Sequence, residues 1–190
     1  MINIAVFASG SGTNFQAIAD YFSNSEQIAV KLLLCNKPGA PVLNRARQLG
    51  ISAHVFSRHE LEETGKVVEI LKEHDIDFIA LAGFLLRIPV NILRAWPEAI
   101  VNIHPALLPK YGGKGMYGMR VHQAVIESGD RFSGITIHMI NEEYDKGSII
   151  SQHTCLVKAD DTPEALASRI HELEHYWYPR IIEKLLVDNA

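Results

Sequence analysis

Short apolar runs alternate with amphipathic stretches through the first half of the chain. Ile2–Ala8 and Ile28–Cys35 are two such runs, and their length and lack of charged clusters are typical of strands buried on both faces. The stretch that follows, Pro41–Leu49, has a proline at its start and Gly50 just past its end, as helices often do. Strands that alternate with helices predict a parallel sheet with crossover helices.

The pattern changes in the last third of the chain. Strands predicted at 133–140 and 148–157 are joined by a short polar segment, which indicates an antiparallel hairpin, and a long helix is predicted over 163–186. The other predicted elements are helices at 14–21, 60–74 and 120–127, and strands at 53–56, 77–82 and 99–103. We therefore expect one α/β domain over 1–190, with a mostly parallel sheet, an antiparallel C-terminal portion and a long C-terminal helix.

Composition narrows the class of protein. The 190 residues carry a formal net charge of −4, which argues against nucleic acid as a partner. No apolar run approaches the roughly 20 residues that span a bilayer, and the first residues do not resemble a signal peptide. The two cysteines lie far apart and form no C-x-x-C pair. We expect a cytoplasmic protein with neither a membrane partner nor a metal.

A small, glycine-rich loop follows the first predicted strand. It reads Ser-Gly-Ser-Gly-Thr-Asn over 9–14 and leads into a helix. In an open α/β sheet this position binds ligands, and the free N–H groups at a helix start favour an anion. The loop matches neither G-x-G-x-x-G nor the Walker A pattern, which favours a single phosphate over a dinucleotide or triphosphate. The alternative is a structural turn that binds nothing.

Asn102 and His104 end another predicted strand, in the segment Val-Asn-Ile-His-Pro. Residues two apart in a strand face the same side, so the two side chains are expected to point together at the carboxyl edge of the sheet. An amide donor beside an imidazole can stabilise an oxyanion and handle a proton. Asp145 lies on a loop that could reach the histidine. The alternative is a structural histidine and a turn aspartate.

Eight further histidines have less context. Four are predicted to lie at the surface: His54, His59, His74 and His153. Four receive no assignment from the sequence: His122, His138, His171 and His175.

Three segments together resemble the folate-dependent formyltransferases. They are Leu-Ala-Gly-Phe at 81–84, Asn-Ile-His-Pro-Ala-Leu-Leu-Pro-Lys-Tyr at 102–111, and Asp-Lys-Gly at 145–147. The loop at 9–14 and Glu-His-Tyr-Trp-Tyr-Pro at 174–179 favour the branch that acts on glycinamide ribonucleotide. The resemblance covers nearly the whole chain and implies a single Rossmann-like formyltransferase domain.

The resemblance also implies roles for individual residues. It implies three catalytic residues: Asn102, His104 and Asp145. It implies a backbone site for the substrate phosphate: Gly12, Thr13 and Asn14. It implies contact between Glu174 and the glycinamide end of the substrate. It implies a folate site: Arg58, Leu85, Leu86, Arg87, Ile88 and Asn102.

The implied reaction uses 10-formyltetrahydrofolate as co-substrate and glycinamide ribonucleotide as acceptor, in purine biosynthesis. The enzyme would be a monomer or homodimer that acts on small molecules without a metal. Protonated His104 and the Asn102 amide would stabilise the anionic oxygen of a tetrahedral intermediate. Asp145 is expected to raise the pKa of His104 and so keep the imidazole charged.

Two departures from the resemblance concern binding. Arg87 stands one place later than the arginine of many family members, and the segment 112–119 is longer and richer in glycine. That segment is expected to be either a lid or a mobile connection. Four alternative functions stay open: a formyltransferase acting on initiator tRNA, a formyl-folate hydrolase, a non-catalytic nucleotide- or folate-binding module and, as the weakest, a redox enzyme, against which the missing G-x-G-x-x-G argues. Net negative charge argues against the tRNA substrate.

Overall fold

The computed structural model describes residues 1–188, and the strands within them form one sheet. The strands in chain order are β1 Ile2–Ala8, β2 Ile28–Cys35, β3 Ser52–Val55, β4 Phe78–Leu81, β5 Ile100–His104, β6 Phe132–Met139 and β7 Ile149–Leu156. The helices are α1 Thr13–Phe22, α2 Pro41–Leu49, α3 Arg58–Glu62, α4 Lys66–Glu73, α5 Val90–Ala95, α6 Met119–Ser128 and α7 Pro163–Asp188.

The sheet order is β3-β2-β1-β4-β5-β6-β7. Strands β1 to β5 pair in parallel, whereas β6 is antiparallel to both β5 and β7. The predicted Rossmann-like α/β fold is therefore confirmed, including the antiparallel hairpin and the long final helix. The strand order reverses between β1 and β4, and in such sheets ligands bind outside the carboxyl ends of the strands at this point.

Two apolar layers cover the faces of the sheet. Strand β1 contributes to both, because successive side chains of a strand point to opposite faces. Ile4 and Val6 belong to the layer that contains residues of α1, α2, α6 and α7, whereas Phe7 belongs to the layer under α3, α4 and α5. All three side chains are fully buried. This two-sided burial explains the continuous apolar sequence of the parallel strands.

Two details of the helices differ from the sequence prediction. The helix predicted over 60–74 is two helices, α3 and α4, separated at Gly65, which has a left-handed φ of 73°. Helix α3 begins with a capping box, in which Ser57 and Glu60 bind each other's backbone N–H groups. Helix α5 was not predicted from the sequence. Within residues 1–188, no helix is long and apolar enough to cross a membrane.

Candidate active site

A cavity of about 600 Å³ opens at the carboxyl edge of the sheet. Its wall contains Asn102 and His104 from the end of β5, Asp145 from the loop after β6, and Glu174 from α7. The sheet and the long final helix therefore bring together four polar side chains from three parts of the chain that are far apart in sequence. Three of them are the catalytic residues implied by the resemblance.

The buried His104 ring is held by a backbone carbonyl. Its Nε2 lies 2.8 Å from the carbonyl oxygen of Tyr111, and because a carbonyl only accepts, Nε2–H is the donor. The other ring nitrogen, Nδ1, lies 3.7 Å from Oδ2 of Asp145. Nδ1 is therefore the nitrogen that gains or loses a proton, and it faces the carboxylate.

The net pKa of His104 contradicts the expectation from the sequence. Burial disfavours the charged imidazole and lowers the pKa, while Asp145 and the Tyr111 carbonyl act in the opposite direction. Burial is the largest of these effects, so the pKa lies below its ordinary value. Asp145 thus limits the loss of the charged form and does not raise the pKa overall.

Asp145 lies between two histidines, in a turn of the segment that joins β6 to β7. Its backbone has a left-handed φ of 55°, which aspartate tolerates better than most residues. Oδ2 accepts a hydrogen bond of 2.8 Å from the N–H of Gly113. Oδ1 lies 3.7 Å from Nε2 of His138. The carboxylate is thereby fixed by the loop that follows β5.

His138 is a site residue that the sequence did not identify. It lies on β6 directly opposite Asn102 and is 1% exposed. Its Nδ1–H donates to the carbonyl of Met139 at 2.8 Å, and its Nε2 accepts from Nδ2 of Asn102 at 3.1 Å. This bond orients the Asn102 amide and leaves its second N–H free for a ligand. Only the pairing of β5 with β6 could have revealed this contact.

Glu174 is 5% exposed, on the helix α7 that borders the same cavity. Its Oε2 accepts a hydrogen bond of 2.9 Å from Nδ2 of Asn14, in the first turn of α1. Burial raises the pKa of Glu174 to about 7, although the Asn14 bond acts in the opposite direction. The side chain therefore exchanges a proton near neutral pH.

The glycine-rich loop after β1 is held tightly against α2. Gly12 has a φ of 76°, and a Cβ placed there would lie 2.3 Å from Cγ2 of Val42. The carbonyl of Ser11 accepts a 2.8 Å bond from Nε of Arg45. Gly12, Thr13 and Asn14 lie outside the wall of the large cavity, and Asn14 is joined to that wall by its hydrogen bond to Glu174. Both the left-handed backbone and the close packing against Val42 therefore favour glycine at position 12.

The segment implied to bind folate follows β4. Leu85, Leu86 and Arg87 line the large cavity, as does Arg58. Ile88 lies in the wall of a smaller adjoining cavity of about 80 Å³, which also contains Asn102. The segment is tied to the loop after β1, because the N–H of Leu85 donates to the Ser9 hydroxyl at 3.1 Å.

Further histidines border the cavity. His122 and His171 lie in its wall, and burial together with the charges of neighbouring histidines lowers the pKa of His122 to about 4. Of the histidines predicted at the surface, His59 is exposed, whereas His153 is half-buried and stacks on Trp177 with ring centroids 3.7 Å apart. His54 and His74 are also half-buried. The described residues contain no group of three or more acidic, His or Cys side chains arranged for a metal.

Comparison with known proteins gives consistent matches. The model of the formyl transferase family matches residues 2–182. The chloroplastic phosphoribosylglycinamide formyltransferase of Arabidopsis thaliana is 45% identical over 94% of this chain and 63% of its own length. The Bacillus subtilis phosphoribosylglycinamide formyltransferase is 37% identical over 98% of this chain and 95% of its own length. This chain thus spans about three fifths of the plant relative.

A solved structure shows the same architecture. The phosphoribosylglycinamide formyltransferase of Bacillus halodurans superposes with a TM-score of 0.88 at 34% identity. The superposition covers 99% of this chain and 97% of that protein.

Proposed function

The chain belongs to the formyl transferase family, and from this premise we propose that it transfers the formyl group of 10-formyltetrahydrofolate to the amine of N1-(5-phospho-D-ribosyl)glycinamide. This reaction is a step of purine (IMP) biosynthesis. The observation that carries the proposal is the grouping of Asn102, His104 and Asp145 in one cavity wall. The two relatives are 45% and 37% identical to this chain over most of its length, and both are named phosphoribosylglycinamide formyltransferases, which supports the same acceptor.

The cavity is suited to the folate and to the glycinamide end of the acceptor. Its volume of about 600 Å³ lies within the range of sites for small molecules. Leu85 to Arg87 and Arg58 supply an apolar and basic wall for the folate, which carries carboxylates. Glu174 lies in the same wall and supplies a carboxyl group for the glycinamide end of the acceptor. The catalytic side chains lie in this shared wall, where both substrates can reach them.

The start of α1 is the proposed phosphate site. The first turn of a helix leaves backbone N–H groups unpaired, and the helix dipole favours an anion there. Gly12, Thr13 and Asn14 supply these groups, and the bond from Asn14 to Glu174 links this end of the acceptor to the cavity. The rigid packing of the loop against α2 keeps the site preorganised.

The reaction needs an oxyanion site and a path for one proton. The acceptor amine forms a bond to the formyl carbon, negative charge develops on the formyl oxygen, and the bond to folate N10 then breaks. The free N–H of Asn102 and a proton on Nδ1 of His104 stabilise that oxygen. Because burial lowers the pKa of His104, its proton is readily donated.

His104 and Asp145 together carry the proton from the amine to the leaving nitrogen. The amine loses a proton to Asp145, and the departing N10 takes one from His104. Asp145 then returns its proton to Nδ1 of His104, from which it is 3.7 Å away. The enzyme is unchanged after one turnover, and no covalent enzyme intermediate is needed.

The test is a direct assay of formyl transfer. Purified protein is mixed with glycinamide ribonucleotide and a 10-formylfolate donor, and release of deformylated folate is followed by absorbance, with controls that lack the amine. Amine-dependent release supports the proposal. Release without the amine indicates a hydrolase, and a protein that binds the donor without release acts on another acceptor or only binds.

We also propose the domain organisation, oligomeric state, partners and location of the enzyme. Residues 1–190 act as one formyltransferase domain, as a monomer or homodimer, on small molecules in the cytoplasm. The net charge of −4 supports a function without nucleic acid.

A further inference from the structure

The carbonyl that holds His104 belongs to a residue in a strained conformation. Tyr111 has a φ of 55°, in the left-handed region that bulky residues rarely adopt. Such a conformation persists only where the surroundings determine it, and it is often found at functional sites. The contacts that hold Tyr111 are therefore relevant to the geometry of His104.

A cluster around Asp130 fixes this part of the chain. The phenol O–H of Tyr111 donates to Oδ2 of Asp130 at 2.8 Å, and the phenol oxygen lies 2.6 Å from the Ser128 hydroxyl. The ammonium group of Lys110 donates to both carboxylate oxygens of Asp130, at 2.9 and 3.1 Å. Asp130 thus binds two consecutive residues of the loop from just beyond the end of α6.

The same short stretch of backbone holds two catalytic side chains. The carbonyl of Tyr111 accepts from Nε2 of His104, and the N–H of Gly113 donates to Oδ2 of Asp145. Gly112 and Gly113 follow Tyr111 directly, and glycine adds little rigidity of its own. We therefore expect the contacts of Lys110 and Tyr111 with Asp130 to fix the position of this backbone.

We propose that Asp130 and the phenol of Tyr111 are positioning residues: they fix the backbone at 111–113, which orients the His104 ring and the Asp145 carboxylate toward the reacting atoms. The inference rests on the proposed formyl transfer for its effect on rate. Its effect on the His104 ring does not depend on any substrate. Neither Asp130 nor Tyr111 lies in the wall of the large cavity, so both would act through the backbone and not by contact with a substrate.

The sign of the expected pH effect follows from the Tyr111 carbonyl. That carbonyl raises the pKa of His104, against the larger effect of burial. If the backbone moves away, the pKa falls further. Activity that requires the protonated ring is lost as the pH rises through this pKa, so the alkaline limb of the pH profile is expected to move to lower pH.

The test compares Tyr111→Phe and Asp130→Ala with Tyr21→Phe. Tyr111→Phe keeps the ring and removes the bond to Asp130. The control Tyr21→Phe also removes a hydrogen bond from a phenol to a carboxylate. This bond joins Tyr21 to Glu183, towards the C-terminal ends of α1 and α7. For each protein, kcat and KM are measured across pH, and the His104 ring is titrated by NMR without substrates.

We expect Tyr111→Phe and Asp130→Ala to lower kcat about tenfold, since small misplacements of catalytic groups are costly. KM should stay within about twofold, and the His104 titration should shift to lower pH. Asp130→Glu should recover part of the rate. The control should match the parent protein in every measurement.

Unchanged kcat and an unchanged His104 titration in folded Tyr111→Phe and Asp130→Ala proteins would overturn the inference. A loss of rate equal to that of the control, with no shift in the titration, would also contradict it. If none of the proteins transfers a formyl group, but the titration still shifts in the two variants alone, the proposed function fails while the positioning role stands.

Discussion

Replacing Glu174 with glutamine is expected to stabilise the protein at alkaline pH and to weaken its function. Burial raises the pKa of this carboxyl from 4.5 to about 7 in the folded protein. Between these two values the unfolded chain ionises while the folded protein does not, so the free energy of unfolding falls as the pH rises. A difference of one pKa unit corresponds to about 1.4 kcal/mol. The ionised Glu174 therefore lowers the free energy of unfolding by about 3 kcal/mol above pH 7.

Glutamine removes this cost while keeping the main contact. Its carbonyl oxygen can still accept from Nδ2 of Asn14, and its amide can donate to Oδ1 of Asn14, which is buried and has no hydrogen-bond partner among the described residues. We expect the unfolding free energy of Glu174→Gln to exceed that of the parent by about 3 kcal/mol at pH 8. The difference should shrink to about 1 kcal/mol at pH 5.

Urea unfolding at these two pH values measures the difference. Glu172→Gln is the matched control, because it removes a carboxylate from an exposed position on the same helix and should change stability by less than about 0.5 kcal/mol. The reasoning is refuted if Glu174→Gln gives no gain at pH 8, or the same gain at both pH values. In the formyl-transfer assay, the variant should have a higher KM for the amine substrate.

Other variants test the site and the loop after β1. His104→Ala should fold normally and lose about a hundred- to thousandfold in kcat, because one oxyanion donor is removed; full activity would exclude this role. Asp145→Asn should move the His104 titration, followed by NMR, to lower pH, because the neighbouring charge that raises the pKa is lost; an unmoved titration would contradict this assignment. Gly12→Ala should lower the unfolding free energy in urea by about 1–3 kcal/mol, since the new Cβ would lie 2.3 Å from Cγ2 of Val42. Gly10→Ala is its control, because a Cβ there meets no atom within 4 Å, and equal losses in both variants would count against the packing argument.

Local patterns in the sequence predicted most elements of the fold. The bounds of β1, β2 and α2 match the prediction, since β1 and β2 are short apolar runs and α2 begins at Pro41 and ends just before Gly50. Helix α5 has only six residues, too few to display a helical period. The break at Gly65 was missed because a single glycine within an otherwise helical pattern does not by itself predict the end of a helix.

The sequence by itself determined the fold class and, through the resemblance that the Asn-x-His-Pro and Asp-x-Gly motifs carry, the three residues proposed as catalytic. Tertiary structure decided which groups become their neighbours. The antiparallel register of β5 and β6 places His138 against Asn102, and the strained loop places the Tyr111 carbonyl on His104. It also decided the sign of the His104 pKa shift, because the cost of removing a charge from water depends on burial by residues from the whole chain.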